Sequence, residues 1–190
     1  NGFKPINWTY IKNGHENMNE HKPAVLVTGA AKRIGKEVAT QLHNAGFNVI
    51  IHCNRSIKEA EMLATALNSA REGSAKVIRA ELTDINEVKR LGKEAIASFG
   101  RLDMLVNNAS SFYPTIVDDV SESDWEDLFS TNLKAPFFLI QSVKDELSKN
   151  KGNIVNMVDI HAERPLLNYP VYCMAKAGLV MLTKSLSREL

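Results

Sequence analysis

Between residues 24 and 190, short apolar runs alternate with segments in which apolar side chains recur every three or four positions. Nearly continuous apolar runs bounded by turn residues fit strands buried on both faces, and the longer period fits helices laid on those faces. Strands are predicted at 24–28, 48–53, 75–79, 104–107 and 153–158, and helices at 36–44, 57–69, 85–99 and 172–190. Ala60, Leu63, Ala64 and Leu67 share one face of the second helix. Asp84 stands where a carboxylate caps the third helix, and Gly100 where a glycine closes it. Helical spacing also runs from 122 to 150, where Pro136 predicts a break or kink. This alternation predicts an α/β fold of βαβ units around a parallel sheet.

The joints of the pattern carry the candidate chemistry. The first strand runs into Gly29-Ala-Ala-Lys-Arg-Ile-Gly35 and a helix. Such a turn points backbone N–H groups and a helix N-terminus at an anion, as a phosphate site requires. Arg33 occupies the position where a middle glycine is usual, so its guanidinium either reaches an additional phosphate or lies in solvent. The second strand ends in His52-Cys-Asn-Arg-Ser56, which contains no acid. An acid there binds a ribose 2′-hydroxyl and an arginine accommodates a 2′-phosphate, so NADP(H) is expected over NAD(H), with Arg33, His52, Arg55 and Ser56 on the phosphate. Leu82 and a neighbouring carboxylate, in Glu81-Leu-Thr-Asp84, would lie against the adenine. Asn107 and Asn108 can hold the loop after the fourth strand, in which Phe112 and Tyr113 either wall a planar ligand or pack the surface. Asn132 must find partners, either structurally or in a proton relay.

Tyr172 and Lys176 lie four residues apart at the start of the last helix, hence on one face. An ammonium beside a phenol favours the phenolate and would draw a hydroxyl that titrates near ~10 toward neutrality, a general-acid device. The alternative is a half-buried tyrosine covered by a lysine stem. Asp159, beyond the fifth strand, would present its carboxylate toward the same crevice.

Composition narrows the function. The chain has 190 residues, 44% of them hydrophobic, and a formal net charge of +1. That is one domain's length with enough apolar content for a core, and it offers nucleic acid no strongly basic surface. No apolar run approaches the ~20 residues that span a bilayer. Cys53 and Cys173 stand far apart without a CxxC or His-Cys cluster, so neither a disulfide framework nor a metal site is expected, and reduced thiols fit a cytoplasmic protein. Residues 1–22 lack the apolar core of a signal peptide. They are expected to be a flexible extension, a processed leader or a cloning remnant, with Ile6, Trp8, Tyr10 and Ile11 available to dock on a neighbour.

Taken together and in this order, Thr28-Gly29 with Gly35, Asn107-Asn108-Ala109, Asn132, and Tyr172 with Lys176 resemble the short-chain dehydrogenases/reductases. Thr28-Gly-Ala-Ala-Lys-Arg-Ile-Gly35, His52-Cys-Asn-Arg-Ser56, Asn107-Asn-Ala-Ser-Ser-Phe-Tyr-Pro-Thr115 and Tyr172-Cys-Met-Ala-Lys176 are more narrowly similar to the pteridine reductases of that superfamily. Asp159 stands where most short-chain enzymes carry a catalytic serine. The resemblance implies a Rossmann-type doubly wound parallel sheet over residues 23–190, an NADP-binding domain whose sixth and seventh strands are missing, so a cut or disordered C-terminus is expected. It implies NADPH-dependent reduction of a C=N bond in a pterin or folate. Tyr172 would donate the proton, Lys176 would tune it and bind the nicotinamide ribose, Asp159 would assist protonation or orient Tyr172, and Asn132 would support a relay through water. By the same resemblance Gly29, Arg33, Ile34, Gly35, His52, Asn54, Arg55, Ser56, Asn108 and Ala109, with Tyr172 and Lys176, bind the cofactor. Ser110, Phe112, Asp159 and Tyr172 would meet the substrate, its ring held between Phe112 and the nicotinamide, in a homotetramer built on the long helices. Glu81, in place of an aspartate beside the adenine, and His161-Ala-Glu-Arg164, near the substrate mouth, depart from the family pattern. A carbonyl or alcohol oxidoreductase and a non-catalytic NADP(H)-binding subunit are the alternatives, while a hydrolase built on Ser110, His161 and Asp159 lacks the GxSxG elbow.

Overall fold

Four apolar residues in succession, Ala24–Val27, form strand β1, and all four are fully buried. A strand with no exposed face must sit inside a sheet covered on both sides. β1 pairs in parallel with β2 (Asn48–Cys53) on one side and β4 (Met104–Asn107) on the other. β3 (Ala75–Arg79) and β5 (Asn153–Asn156) complete a parallel sheet of order β3-β2-β1-β4-β5. This computed structural model describes residues 22–190, so the expectations placed on residues 1–21 lie outside it.

Side chains alternate between the two faces. Leu26, Ile50 and Leu105 pack against Val88, Leu91 and Ala95 of helix α3 (Ile85–Phe99) and Leu139, Ile140 and Val143 of α5 (Ala135–Lys149). On the opposite face Val27, Ile51 and Val106 meet Ala39 and Leu42 of α1 (Arg33–Asn44) and the predicted stripe Ala60, Leu63, Ala64, Leu67 of α2 (Ile57–Ala70). Each Val, Leu or Ile among them contributes ~1.5–3 kcal/mol on burial, so two opposed layers fix the sheet between them. A smaller cluster of Leu128, Val171, Tyr172 and Cys173 joins α4 (Glu122–Phe129) to α6 (Pro170–Leu186). Asp84 caps α3 by accepting from the Asn86 amide.

The break expected near Pro136 is present just upstream of it, while β5 and the last helix end earlier than expected, at Asn156 and Leu186. The break in the 122–150 stretch precedes Pro136: residues Ser130–Lys134 form a π-helical turn in which the Ala135 amide reaches back five residues to the Ser130 carbonyl. Pro136 has no N–H to bond backward, and it sits in the first turn of α5, where none is required. The widened turn carries Asn132 inward, only 1% exposed. β5 ends at Asn156 rather than residue 158, after which the Met157 amide still bonds the Asn107 carbonyl at 2.9 Å. β5 borders the sheet, and a cavity of about 460 Å³ lined by Ile140, Leu147, Ile154 and Leu186 runs beside it, away from the glycine turn.

Candidate active site

From β1 the chain winds outward to β2 and β3, whereas β4 and β5 lie on the other side, so the turns after β1 and β4 part and leave a crevice at their carboxyl ends. Gly29 takes φ 63 and Arg33 φ 52. The left-handed region costs glycine little but an arginine about 1–2 kcal/mol, and that strain falls where the motif usually has a glycine. Gly35 is set by close approach, because a Cβ there would stand 2.3 Å from the Gly29 carbonyl oxygen and 2.5 Å from Asn108 Nδ2. Thr28 Oγ1 accepts from the amides of Asn108 (2.9 Å) and Ala109 (3.0 Å), and Asn108 Nδ2 donates to the carbonyls of Thr28 (2.8 Å) and Gly29 (3.2 Å). These bonds lock the two turns into one wall.

The cleft against this wall measures about 640 Å³ and is lined by Gly29, Arg33, Ile34, Gly35, His52, Asn54, Arg55, Asn108, Ala109 and Ser110, joined by Glu81, Leu82, Asp127 and Thr131. Of the expected cofactor residues, Ser56 is not among the lining, and Tyr172 and Lys176 belong to the neighbouring centre. A wall that admits no Cβ, a helix N-terminus and two exposed arginines at the rim fit a phosphate-bearing dinucleotide.

His52 differs from its expected role as a phosphate contact. Its Nδ1 accepts from the Gly29 amide and its Nε2 meets the Ala80 carbonyl, each at 3.1 Å, in a residue 1% exposed. An imidazole that accepts at Nδ1 and donates at Nε2 is neutral. Burial pushes its pKa down to about 4, against the weaker upward pull of the Ala80 carbonyl and the Glu81 charge. With both nitrogens engaged, His52 braces the glycine turn and has no donor for a phosphate. The Asn54 side chain likewise turns to Glu81, 2.6 Å away.

The second centre gathers around α6. Tyr172 donates its hydroxyl to Asp159 Oδ2 at 2.8 Å, and the His161 amide donates to Asp159 Oδ1 at 2.9 Å. Lys176 Nζ donates to the Met157 carbonyl at 3.0 Å and stands 5.8 Å from the centre of the Tyr172 ring. The sequence predicts a phenol drawn toward neutrality, and the structure reverses that sign. Burial and the adjacent Asp159 carboxylate push Tyr172 well above the usual phenol range, with Ser110 pulling weakly downward. A carboxylate in direct hydrogen bond outweighs an ammonium beyond the ring. The His161 amide, followed by the Tyr172 hydroxyl, holds Asp159 below the ordinary carboxyl range despite its burial, and desolvation lowers Lys176 against the pull of Asp159.

Ser110 connects the centres. It donates to Asn132 Oδ1 at 2.6 Å, while Asn132 Nδ2 bonds the carbonyls of Ser111 and Leu128, both at 2.9 Å. Phe112, 53% exposed, stacks on Tyr169 with ring centres 4.6 Å apart and meets the Tyr172 ring edge-on at 4.8 Å. Sequence reasoning missed Tyr169, whose place one helical turn before Tyr172 was the available signal. Tyr113 does not extend this wall. It turns to α4, donates to Asp127 at 3.0 Å, and is pushed up to about 12 by burial and that carboxylate. Among the described residues no group of three or more His, Cys, Asp or Glu side chains is placed to hold a metal, and no helix is long and apolar enough to cross a membrane.

A profile of the family described as short chain dehydrogenase matches residues 23–190. Pteridine reductase 1 of Leishmania tarentolae is 39% identical, over 88% of this chain and 71% of its own length. The 3-oxoacyl-acyl-carrier-protein reductase FabG of Staphylococcus aureus (strain Mu50) is 34% identical over 88% of this chain and 68% of its own. A hydroxynaphthalene reductase-like protein of Metarhizium guizhouense is 35% identical over 84% and 60%.

Proposed function

The chain belongs to the short-chain dehydrogenase family, whose members are nicotinamide-dependent oxidoreductases, and on that premise we propose that it uses NADPH to reduce a C=N bond in a pterin or folate ring. The observation that carries this reading is the 2.8 Å bond from Tyr172 to Asp159 beside the exposed ring of Phe112. A carboxylate at the proton donor can accept from N–H groups along a pterin edge, and an aromatic face suits a flat heterocycle. A simple ketone offers no such N–H groups.

A reduced nicotinamide bound in the cleft supplies the hydride. The turn from Gly29 to Gly35, with Ile34, Asn108 and Ala109, would hold the cofactor's pyrophosphate and nearby sugar, while Arg33 and Arg55 at the rim, with Ser56 next in the chain, would receive the 2′-phosphate. Tyr172, kept protonated by burial and Asp159, passes its hydroxyl proton to the ring nitrogen that must be protonated. Asp159 fixes where the Tyr172 hydroxyl oxygen stands and receives the substrate edge together with Ser110 and Phe112, the hydroxyl turning from Asp159 to the ring nitrogen as the proton passes. The phenolate left behind faces the Lys176 ammonium, and the Ser110–Asn132 pair lies on the return path for a proton from water. Positioned proton transfer of this kind is worth ~10²–10⁴ in rate.

Reduction of a carbonyl is the second reading, supported by the similarity to a 3-oxoacyl reductase. A substrate panel with NADPH, followed by loss of its absorbance, separates them. Dihydrobiopterin or dihydrofolate turning over faster than 3-oxoacyl thioesters and ketones supports pterin reduction, and the reverse order supports carbonyl reduction. Tight NADPH binding with no turnover would make the chain a binding subunit. We further read residues 23–190 as one NADP-binding unit of a cytoplasmic protein, in keeping with its buried free thiols Cys53 and Cys173. Exposed Trp125, Phe137, Met174 and Met181 on α4, α5 and α6 are the surface proposed to assemble a homotetramer, which sedimentation would test.

A further inference from the structure

Glu81 is an unexpected neighbour for a phosphate, since its carboxylate lines the same cleft as Arg33 and Arg55. Its oxygens are engaged. Oε2 accepts from Asn54 Nδ2 at 2.6 Å, and Oε1 from the Thr83 amide at 3.3 Å. Asn54 is held from its other side as well, because Arg79 Nε donates to its carbonyl at 3.1 Å. One residue earlier, the Ala80 amide bonds the Cys53 carbonyl at 3.1 Å. The end of β3 therefore grips, by backbone and side chain, the residue immediately before Arg55. Burial pushes the Glu81 carboxyl up, but the Thr83 amide, the Asn54 side chain and the Arg55 charge together hold it below its ordinary value. An ionised acceptor makes the bond to Asn54 a charge-assisted one.

We propose that Glu81 is a positioning residue for cofactor selectivity: through Asn54 it sets the segment Asn54-Arg55-Ser56 so that Arg55 and Ser56 face a 2′-phosphate. The proposal rests on the NADPH reading above. It opposes plain electrostatics, under which removing a carboxylate from the cleft tightens binding of a more anionic cofactor.

The test is the dissociation constants of NADPH and NADH, read by nicotinamide fluorescence, for the wild-type chain and for Glu81→Ala, Glu81→Gln, Asn54→Ala and Arg55→Ala, with thermal melting to follow folding. Glu81→Ala and Asn54→Ala are each expected to weaken NADPH about tenfold, the scale of one lost charge-assisted hydrogen bond, and to leave NADH within about twofold. Glu81→Gln, whose amide oxygen still accepts from Asn54 but carries no charge, is expected to weaken NADPH less than Glu81→Ala does. A Glu81→Ala/Asn54→Ala double variant should lose no more than either single, as residues acting through one bond do. Tighter NADPH binding by Glu81→Ala, or equal weakening of both cofactors, overturns the proposal. A wild-type chain without preference for NADPH overturns the underlying reading too. A preference that Arg55→Ala abolishes and Asn54→Ala and Glu81→Ala retain overturns the clamp alone. If Glu81→Ala does not fold, Asn54→Ala and Glu81→Gln decide by the same criteria.

Discussion

Around the β1–β4 crevice the wall is backbone and small groups, Thr28, Gly29, Gly35 and Asn108, in which the Thr28 hydroxyl and the Asn108 side-chain amide bond backbone groups across the ends of two adjacent strands. Around Tyr172 the partners are side chains from separate segments: Ser110 after β4, Asn132 in the π-helical turn, Asp159 after β5 and Lys176 in α6. A site made of backbone is sensitive to added volume, because close-packed atoms have nowhere to go. A site made of titratable side chains tolerates changes of shape better than changes of protonation, because each group's charge sets its neighbour's.

Tyr172→Phe is expected to break the second region most severely while leaving the first intact. Turnover should fall ~10²–10⁴-fold with NADPH affinity within about twofold. Stopped-time assays beside cofactor titration measure both, and retained turnover would remove Tyr172 from the donor role. Gly35→Ala should do the opposite. Its methyl would enter the contact between Gly29 and Asn108, so cofactor binding should be lost along with ~1–3 kcal/mol of stability in denaturant titration. An alanine variant binding NADPH normally would show that this wall yields.

His52 sharpens the contrast, since it is a deeply buried titratable brace in the backbone-built region. Its folded pKa of about 4 lies below the ordinary 6.5, so the unfolded chain binds more protons between those values and stability falls as pH drops through that window. From pH 7 to pH 5 the loss from this group is roughly 2 kcal/mol. His52→Gln, which keeps an acceptor and a donor without titrating, should flatten that dependence in denaturation at the two pH values. The smallest effect belongs to Arg33→Gly. Relief of its left-handed backbone should raise stability by at most ~1 kcal/mol, because glycine also loosens the unfolded chain, while NADPH binding weakens. A variant less stable than wild type would show that the guanidinium contributes to the fold.

The two regions were not equally open to reading from the chain. Strands β1 to β4, the stripe on α2 and the cap at Asp84 follow from local periodicity and local hydrogen bonding, which act over a few residues. The π-helical turn did not, since the proline that signals a break acts on carbonyls upstream of itself and does not say how the helix responds. Nor did Tyr169, because an aromatic before a helix looks alike whether it packs a core or stacks on Phe112 from a distant loop.

His52, Glu81 and Tyr172 mark the boundary. Their identities and their nearness to the motifs are sequence facts, and so is the order of glycines, asparagines, tyrosine and lysine by which the chain resembles its family. What each does was decided by folding. The imidazole became a brace because the Gly29 amide after β1 and the Ala80 carbonyl after β3 engage its two buried nitrogens. The phenol is held protonated because folding buries it and brings a carboxylate from thirteen residues away in sequence to 2.8 Å, closer than the lysine on its own helix comes to the ring. Periodicity is a property of neighbours along the chain, while a pKa and a hydrogen-bond partner are properties of neighbours in space.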